Sequence, residues 1–185
     1  MTTPSDAYIM FTPASVAEAP VKQLIQEVQN LVAAKVPSLT LLISSPGGAV
    51  YYGILAYNFL KGSPIEVTTH NINTCDSISA VIYAAGTKRL SVTHGRFLLH
   101  GVQAGFPQGA NLSETQLAEQ LSNIRNDTDS IAGILAAATS NSKDQIQGDL
   151  LAGLTMSPVE SVGYGLTHEL VDDLYPSSAK LITIQ

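Results

Sequence analysis

Charge is scarce in this sequence. Asp, Glu, Lys and Arg together make up 13% of its 185 residues, against 45% hydrophobic residues. A surface so short of charge is expected to hide area against further copies of the chain, although abundant Ala and Val raise the apolar fraction equally well without an interface. Basic residues are the scarcer sign, nine Lys and Arg against fifteen Asp and Glu for a net charge of −6, and they form no cluster. Without a positive stripe to displace condensed counterions, no nucleic-acid surface is expected. Cys75 is the only cysteine. It rules out an intrachain disulfide and fits a reducing, cytoplasmic setting. No apolar run approaches the ~18 residues of a membrane helix, so no membrane partner is expected. The opening MTTPSDAYIMF has neither the basic flank nor the apolar core of a secretory signal. Low-complexity blocks, internal repeats and linker-like stretches are missing too, which leaves one domain over residues 1–185.

What is present is a strand-and-helix alternation. Tyr8 to Phe11 reads as a short strand. Val21, Leu24, Ile25, Val28, Leu31 and Val32 recur at three and four and predict a helix over 16–36, ended by Pro37. Leu39 to Ile43 is a near-continuous apolar run, as in a strand covered on both faces. Ser44 to Gly48 forms a turn, Ala49 to Leu60 a helix, Ile65 to Thr69 a strand, and Ser77 to Ala85 a helix stopped by Gly86. Leu90 to Val92 and Phe97 to Leu99 are short strands. The alternation predicts an α/β fold with a largely parallel sheet. Gln103 to Ala110, with Gly105, Pro107 and Gly109, is expected to be irregular or extended. Ser113 and Gln116 then form a capping box. The stripe Leu117, Leu121, Ile124, Thr128, Ile131, Leu135 repeats near the coiled-coil period; it suits a helix packed on its own sheet as well as a protruding arm.

Three polar residues and one turn could do chemistry together. Ser77 stands between a polar loop and a helix, where a serine is ordinarily a cap. Gly47 and Gly48, after a buried strand, let the backbone approach a ligand and present bare N–H groups. The N–H groups of Gly48 and Ile78 could bind a carbonyl oxygen as it becomes an oxyanion, a role worth roughly 3–4 kcal/mol for each such donor. His100, at a strand end, could take and return a proton near neutrality. Asp149 could hold the imidazole tautomer and stabilise the imidazolium. Taken singly, each has an ordinary reading: a tight turn, a half-buried histidine, a surface carboxylate.

Four blocks in order give these residues a shared context. From Leu41 to about Leu174 the chain resembles the proteolytic subunit of the Clp protease, within the Clp/crotonase fold. Ser45-Pro46-Gly47-Gly48-Ala49-Val50, with Gly53 and Tyr57, is similar to that family's oxyanion turn and first active-site helix. Ser77-Ile78-Ser79-Ala80 before Ala84-Ala85-Gly86 resembles its nucleophile block, and Arg96 to His100 its histidine block. Asp144 to Asp149, with Met156-Ser157 and Tyr164-Gly165-Leu166, resembles its aspartate block and tail. The resemblance implies a spiral of ββα units with a protruding handle helix, the handle region covering about 103–140. It implies a serine-type endopeptidase with Ser77 as nucleophile, His100 as base, Asp149 as its orienter, and Gly48 and Ile78 as oxyanion donors. It further implies heptameric rings stacked face to face, closing a chamber for peptides or unfolded chains. A strand ahead of the handle would bind the substrate by β-augmentation.

Several positions depart from that pattern. The segment ahead of the first strand is short, so the pore hairpin and first helix are expected to be cut down, which weakens docking to an unfoldase ATPase. Asp76 replaces a small residue, Ser79 a glycine, and Gly101-Val102 stand where Gln-Pro is usual. Leu150 to Leu154 lacks the usual charges. Two rival readings are a catalytically silent ring subunit assembling with an active paralogue, and a crotonase-type acyl-CoA enzyme, for which no basic cluster is present. His70, His94 and His168 lie at no metal-ligand spacing, so no metal is expected. No phosphate loop with Lys occurs, so no nucleotide cofactor is expected either. Cys75 reads as a small buried side chain rather than a redox group.

Overall fold

The computed structural model describes residues 6–185. In chain order the elements are β1 (Ala7–Phe11), α1 (Glu18–Ala33), β2 (Ser38–Ser45), α2 (Val50–Gly62), β3 (Glu66–Asp76), α3 (Ile78–Tyr83), β4 (Lys88–Ser91), β5 (Arg96–Leu99), α4 (Glu114–Thr139), α5 (Lys143–Ala152), β6 (Leu154–Met156), α6 (Pro158–Gly163), β7 (Glu169–Leu170) and β8 (Leu181–Ile184). One sheet runs β6-β5-β3-β2-β1-β8, with β4 pairing β3 and β7. The β5–β6 pair is antiparallel, whereas β1, β2, β3, β4 and β5 pair in parallel. The apolar β2 is covered on both faces, with Leu41, Leu42 and Ile43 fully buried. That follows from crossover helices lying on either side of a parallel sheet.

The strand β3 is the spine of the site. On one side it pairs β2 along its length. On the other it pairs β4 through Thr68–Asn71 and then β5 through Thr74–Asp76. Its length differs from the sequence expectation, which stopped it at Thr69 and read the polar residues beyond as a loop. The polar run stays extended because its groups are satisfied within the sheet. Asn71 is fully buried; its Nδ2 donates to the Arg96 carbonyl at 3.1 Å, and its Oδ1 accepts from the Asn73 N–H at 3.2 Å. A buried polar side chain costs little once both ends are bonded.

Two further boundaries differ. The helix α1 ends at Ala33, not at Pro37: Lys35 takes φ 57°, the left-handed exit that closes many helices, and Pro37 lies beyond it. Residues 143–152, given no element from the sequence, form α5, which Ser142 caps through the Gln145 N–H and which buries Ile146 and Leu150. The capping box of α4 is present as expected, with Ser113 and Gln116 bonded both ways. Its stripe divides: Ile131 and Leu135 are buried in the core, while Leu117 and Leu121 are about half exposed, at 50% and 46%. The first half of α4 therefore presents the uncovered half of the stripe. Residues 103–110 contain only a turn, closed by the Ala110 N–H on the Pro107 carbonyl at 3.1 Å; they are irregular and carry no strand. No helix among the described residues is long and apolar enough to cross a membrane.

Arg89 joins the pieces behind the site. Buried at 7% exposure, it donates to the carbonyls of Leu166 (2.7 Å), Gly86 (3.3 Å), Ala138 (2.7 Å) and Gly165 (3.2 Å). One guanidinium thereby links the loop after α3, the last turn of α4 and the segment after α6. Its five donors in a fixed fork suit it to this task.

Candidate active site

Ser77 occupies the sharp step from β3 into α3. Its backbone takes φ 57° and ψ −130°, a conformation that L-residues avoid and that costs of order 1–3 kcal/mol. The step is held from several sides. The Ser77 N–H donates to the Leu98 carbonyl at 2.6 Å. The Ser79 hydroxyl lies 2.8 Å from the Ser45 carbonyl and 2.7 Å from that of Asp76, so it pins α3 to the end of β2. This is the use of the serine that stands where a glycine was the family pattern. Ser77 itself makes no side-chain cap bond to α3, which leaves its hydroxyl outside the ordinary capping role.

The 46–48 turn passes directly beneath this serine. A Cβ on Gly47 would lie 2.6 Å from the Ser77 Cβ and 2.9 Å from the Asp76 carbonyl, and one on Gly48 would stand 2.6 Å from the Val16 nitrogen. Only glycine fits either place. The Val16 N–H donates to the Gly47 carbonyl at 2.7 Å and the Ala49 N–H to the Val16 carbonyl at 2.8 Å. This bridge uses the groups on either side of the Gly48 N–H and leaves that N–H out. The Ile78 N–H, in the first turn of α3, has no helical acceptor either.

Asp76 makes no hydrogen bond to His100 and does not face solvent. It is buried at 3% exposure, with Oδ2 accepting from the Arg96 guanidinium at 2.6 Å, while its Oδ1 has no hydrogen-bond partner. The pair ties the end of β3 to the start of β5. Cys75, beside it, is fully buried; burial first, and then the neighbouring Asp76, push its thiol pKa well above the ordinary range, so it stays protonated and inert.

His100 leaves the end of β5, and its Nδ1 lies 2.9 Å from the Gly101 carbonyl. Because a carbonyl only accepts, that bond places a proton on Nδ1, so in the neutral ring the free lone pair is on Nε2. Asp149 lies on α5. Its Oδ1 accepts from Gln145 Nε2 at 2.9 Å and its Oδ2 from the Tyr164 hydroxyl at 2.6 Å. Burial first, and then that carboxylate, raise the Tyr164 pKa well above its ordinary value.

Gly48, Ser77, Ile78 and His100 line one cavity of about 310 Å³. Its other walls are largely apolar, with Val50, Leu99, Val102, Ile131, Leu135 and Leu150 among them. Four of the five residues singled out in the sequence thus meet in one place. Asp149 is not among its walls: its carboxylate is engaged by Gln145 and Tyr164 and makes no hydrogen bond to His100, while Leu150, the next residue of α5, does line the cavity. Sequence reasoning missed Tyr164 as a partner of Asp149, since nothing local marks a tyrosine fifteen residues on as facing a particular carboxylate. Two of the other histidines serve structure: His70 Nε2 bonds the Val171 carbonyl at 2.8 Å, and His168 Nδ1 accepts the Arg89 backbone N–H at 3.2 Å. Burial lowers both their pKa values, most directly through desolvation of the charged form.

Comparison with known proteins bears on the fold and the family. The chain is 32% identical over 161 residues to the ATP-dependent Clp protease proteolytic subunit 4, chloroplastic, of Arabidopsis thaliana, a match covering 85% of this chain and 52% of that protein. It is 30% identical over 135 residues to the ATP-dependent Clp protease proteolytic subunit 3 of Rhodococcus jostii (strain RHA1), covering 72% and 65%. The matched stretch thus spans about half to two thirds of the length of these relatives. Among solved structures, a ClpP1 point mutant from Listeria monocytogenes shares the fold at a TM-score of 0.79 with 20% identity, covering 91% of both chains. The family model of Clp protease matches residues 4–173, and the chain belongs to that family.

Proposed function

We propose that this chain is a serine-type endopeptidase that hydrolyses peptide bonds through Ser77. The observation that carries the reading is the convergence of Gly48, Ser77, Ile78 and His100 on one cavity. In the proposed reaction the Ser77 Oγ attacks the scissile carbonyl carbon while His100 Nε2 takes the hydroxyl proton. The carbonyl oxygen becomes an oxyanion between the Gly48 and Ile78 N–H groups. Collapse breaks the C–N bond, and His100 passes its proton to the departing amine. Water then attacks the acyl ester with His100 again as base and frees Ser77. Asp149 is assigned the orientation of His100 and stabilisation of its imidazolium.

The walls of the cavity give a preference. They hold apolar side chains and no carboxylate or ammonium, so the residue whose carbonyl is attacked is read as a large apolar one. In a panel of fluorogenic peptides differing only there, Leu or Met is expected to exceed Asp in kcat/KM by about a hundredfold, the size of one apolar side chain buried against one charge left unpaired. Equal rates for Leu and Asp would contradict the reading. Labelling with a fluorophosphonate, followed by peptide mapping, is expected to place the adduct on Ser77.

The exposed Leu117, Leu121 and Leu151 and the 70% exposed Tyr51 support assembly of several copies, read here as heptameric rings enclosing a chamber for peptides or unfolded proteins in the cytoplasm. An unfoldase ATPase is not required by this reading. A second reading, a silent subunit paired with an active paralogue, draws support from the engagement of Asp149 by Gln145 and Tyr164 and of His100 by Gly101. Assembled protein that takes up no fluorophosphonate while cleaving nothing would favour it.

A further inference from the structure

One short contact at a predicted site residue has no assigned role, the 2.6 Å bond between Tyr164 and Asp149. We propose that Tyr164 is a positioning residue for the reaction: its hydroxyl fixes the Asp149 carboxylate in place as the acceptor that His100 Nδ1–H turns to when it leaves the Gly101 carbonyl. This rests on the role proposed above for Asp149.

Three observations support it. The bond is 2.6 Å between a half-buried phenol and an ionisable carboxyl oxygen, in the range of charge-assisted O–H···O⁻ bonds. It takes one lone pair of Oδ2, and the Gln145 bond takes one of Oδ1. A carboxylate has about four acceptor sites, so two remain for the imidazole without either bond breaking. The third observation is how firmly Tyr164 is seated. It closes α6, its N–H donates to the Glu160 carbonyl at 2.8 Å, and its own carbonyl accepts from Asn141 Nδ2 at 2.9 Å. The next residue, Gly165, is gripped through its carbonyl by Arg89. Gln145 is exposed and shares the helix of Asp149, so it moves with α5; Tyr164 comes from another element and fixes the carboxylate against the rest of the domain.

His100 has two acceptors in prospect, and the choice between them sets the rate. Bonded to Gly101, its tautomer is correct but an imidazolium has only a neutral carbonyl beside it. Bonded to Asp149, the imidazolium gains a full negative charge, and that gain is largest in the transition state. Tyr164 acts by keeping the second acceptor within reach.

The test is steady-state kinetics on the full chain in its assembled form for Tyr164→Phe, Gln145→Ala, Asp149→Ala and the Asp149→Ala/Tyr164→Phe double variant. Phe keeps the ring in its packing and removes only the hydroxyl. Tyr164→Phe is expected to lower kcat by about tenfold or more with KM within twofold, the size of one hydrogen bond to a charged group felt in the transition state. Gln145→Ala is expected to change kcat less than Tyr164→Phe. The double variant should be no slower than Asp149→Ala, since the hydroxyl acts only through that carboxylate. A wild-type or raised kcat in Tyr164→Phe beside a slow Asp149→Ala overturns the inference and leaves the triad standing, as does a double variant in which the two losses multiply. A wild-type kcat in Asp149→Ala removes the triad itself and this inference with it.

Discussion

Ser77→Ala is expected to lower kcat for peptide hydrolysis by about 10⁴-fold or more, with KM nearly unchanged and fluorophosphonate labelling lost. In the proposed mechanism the loss is large because the hydroxyl oxygen supplies the bond that forms, whereas the cavity walls and the proposed oxyanion donors act on binding and charge alone. The fold should survive. Ser77 makes no side-chain cap bond, and the contact holding the step, its N–H on the Leu98 carbonyl, belongs to the backbone. Alanine carries the same strain as serine at φ 57°, so the melting temperature should move by only a few degrees. Ser77→Gly sharpens the point. Glycine takes positive φ freely, so it should be inactive yet more stable than Ser77→Ala, as expected for strain stored at the proposed nucleophile. Retained hydrolysis and labelling in Ser77→Ala would sink the proposed nucleophile, whatever the fold.

The legible parts of the fold were those written in short-range pattern. The three-and-four spacing of Val21 to Val32, the unbroken Leu39–Ile43 run and the Ser113–Gln116 box each encode an element within one window, and each element stands within a few residues of its expected place. What the sequence concealed depends on partners far along the chain. The β3 residues Asn71, Asn73 and Thr74 are polar enough for a loop; they remain in a strand because distant groups satisfy them, the Arg96 carbonyl and guanidinium bonding Asn71 and Thr74 and Ser44 bonding Asn73. Asp76 stands out in the sequence as a departure from the family pattern, but nothing local marks Arg96, twenty residues on, as its partner. At the site, the serine, the histidine and the glycine turn were readable from motif order. The carboxylate's surroundings were not, because Gln145 is its neighbour by helix periodicity but Tyr164 only by tertiary packing.

Arg89 carries the largest expected effect on stability. In Arg89→Leu, carbonyls of Gly86, Ala138, Gly165 and Leu166 lose a charged donor together. An unsatisfied buried acceptor costs about 1–3 kcal/mol. Some of that is recovered, because a leucine needs no desolvation, whereas burial already lowers the pKa of the native guanidinium. The net expectation is a loss of about 3–5 kcal/mol, or about 10 °C in melting temperature for a domain of this size. Arg89→Lys keeps the charge but places one compact ammonium where a planar fork reached four carbonyls, so it should fall between the two. The loss should also reach the site. The Ala138 and Gly165 carbonyls bracket the segment that seats Tyr164, so, if the proposed activity holds, a folded Arg89→Lys protein should lose kcat in the same direction as Tyr164→Phe, with KM little changed. Thermal unfolding followed by circular dichroism, with kinetics measured well below the transition, separates the two effects. An Arg89→Leu chain that melts with the wild type would mean that water or other donors replace the guanidinium at these carbonyls, and that the join between α4 and the segment after α6 does not depend on it.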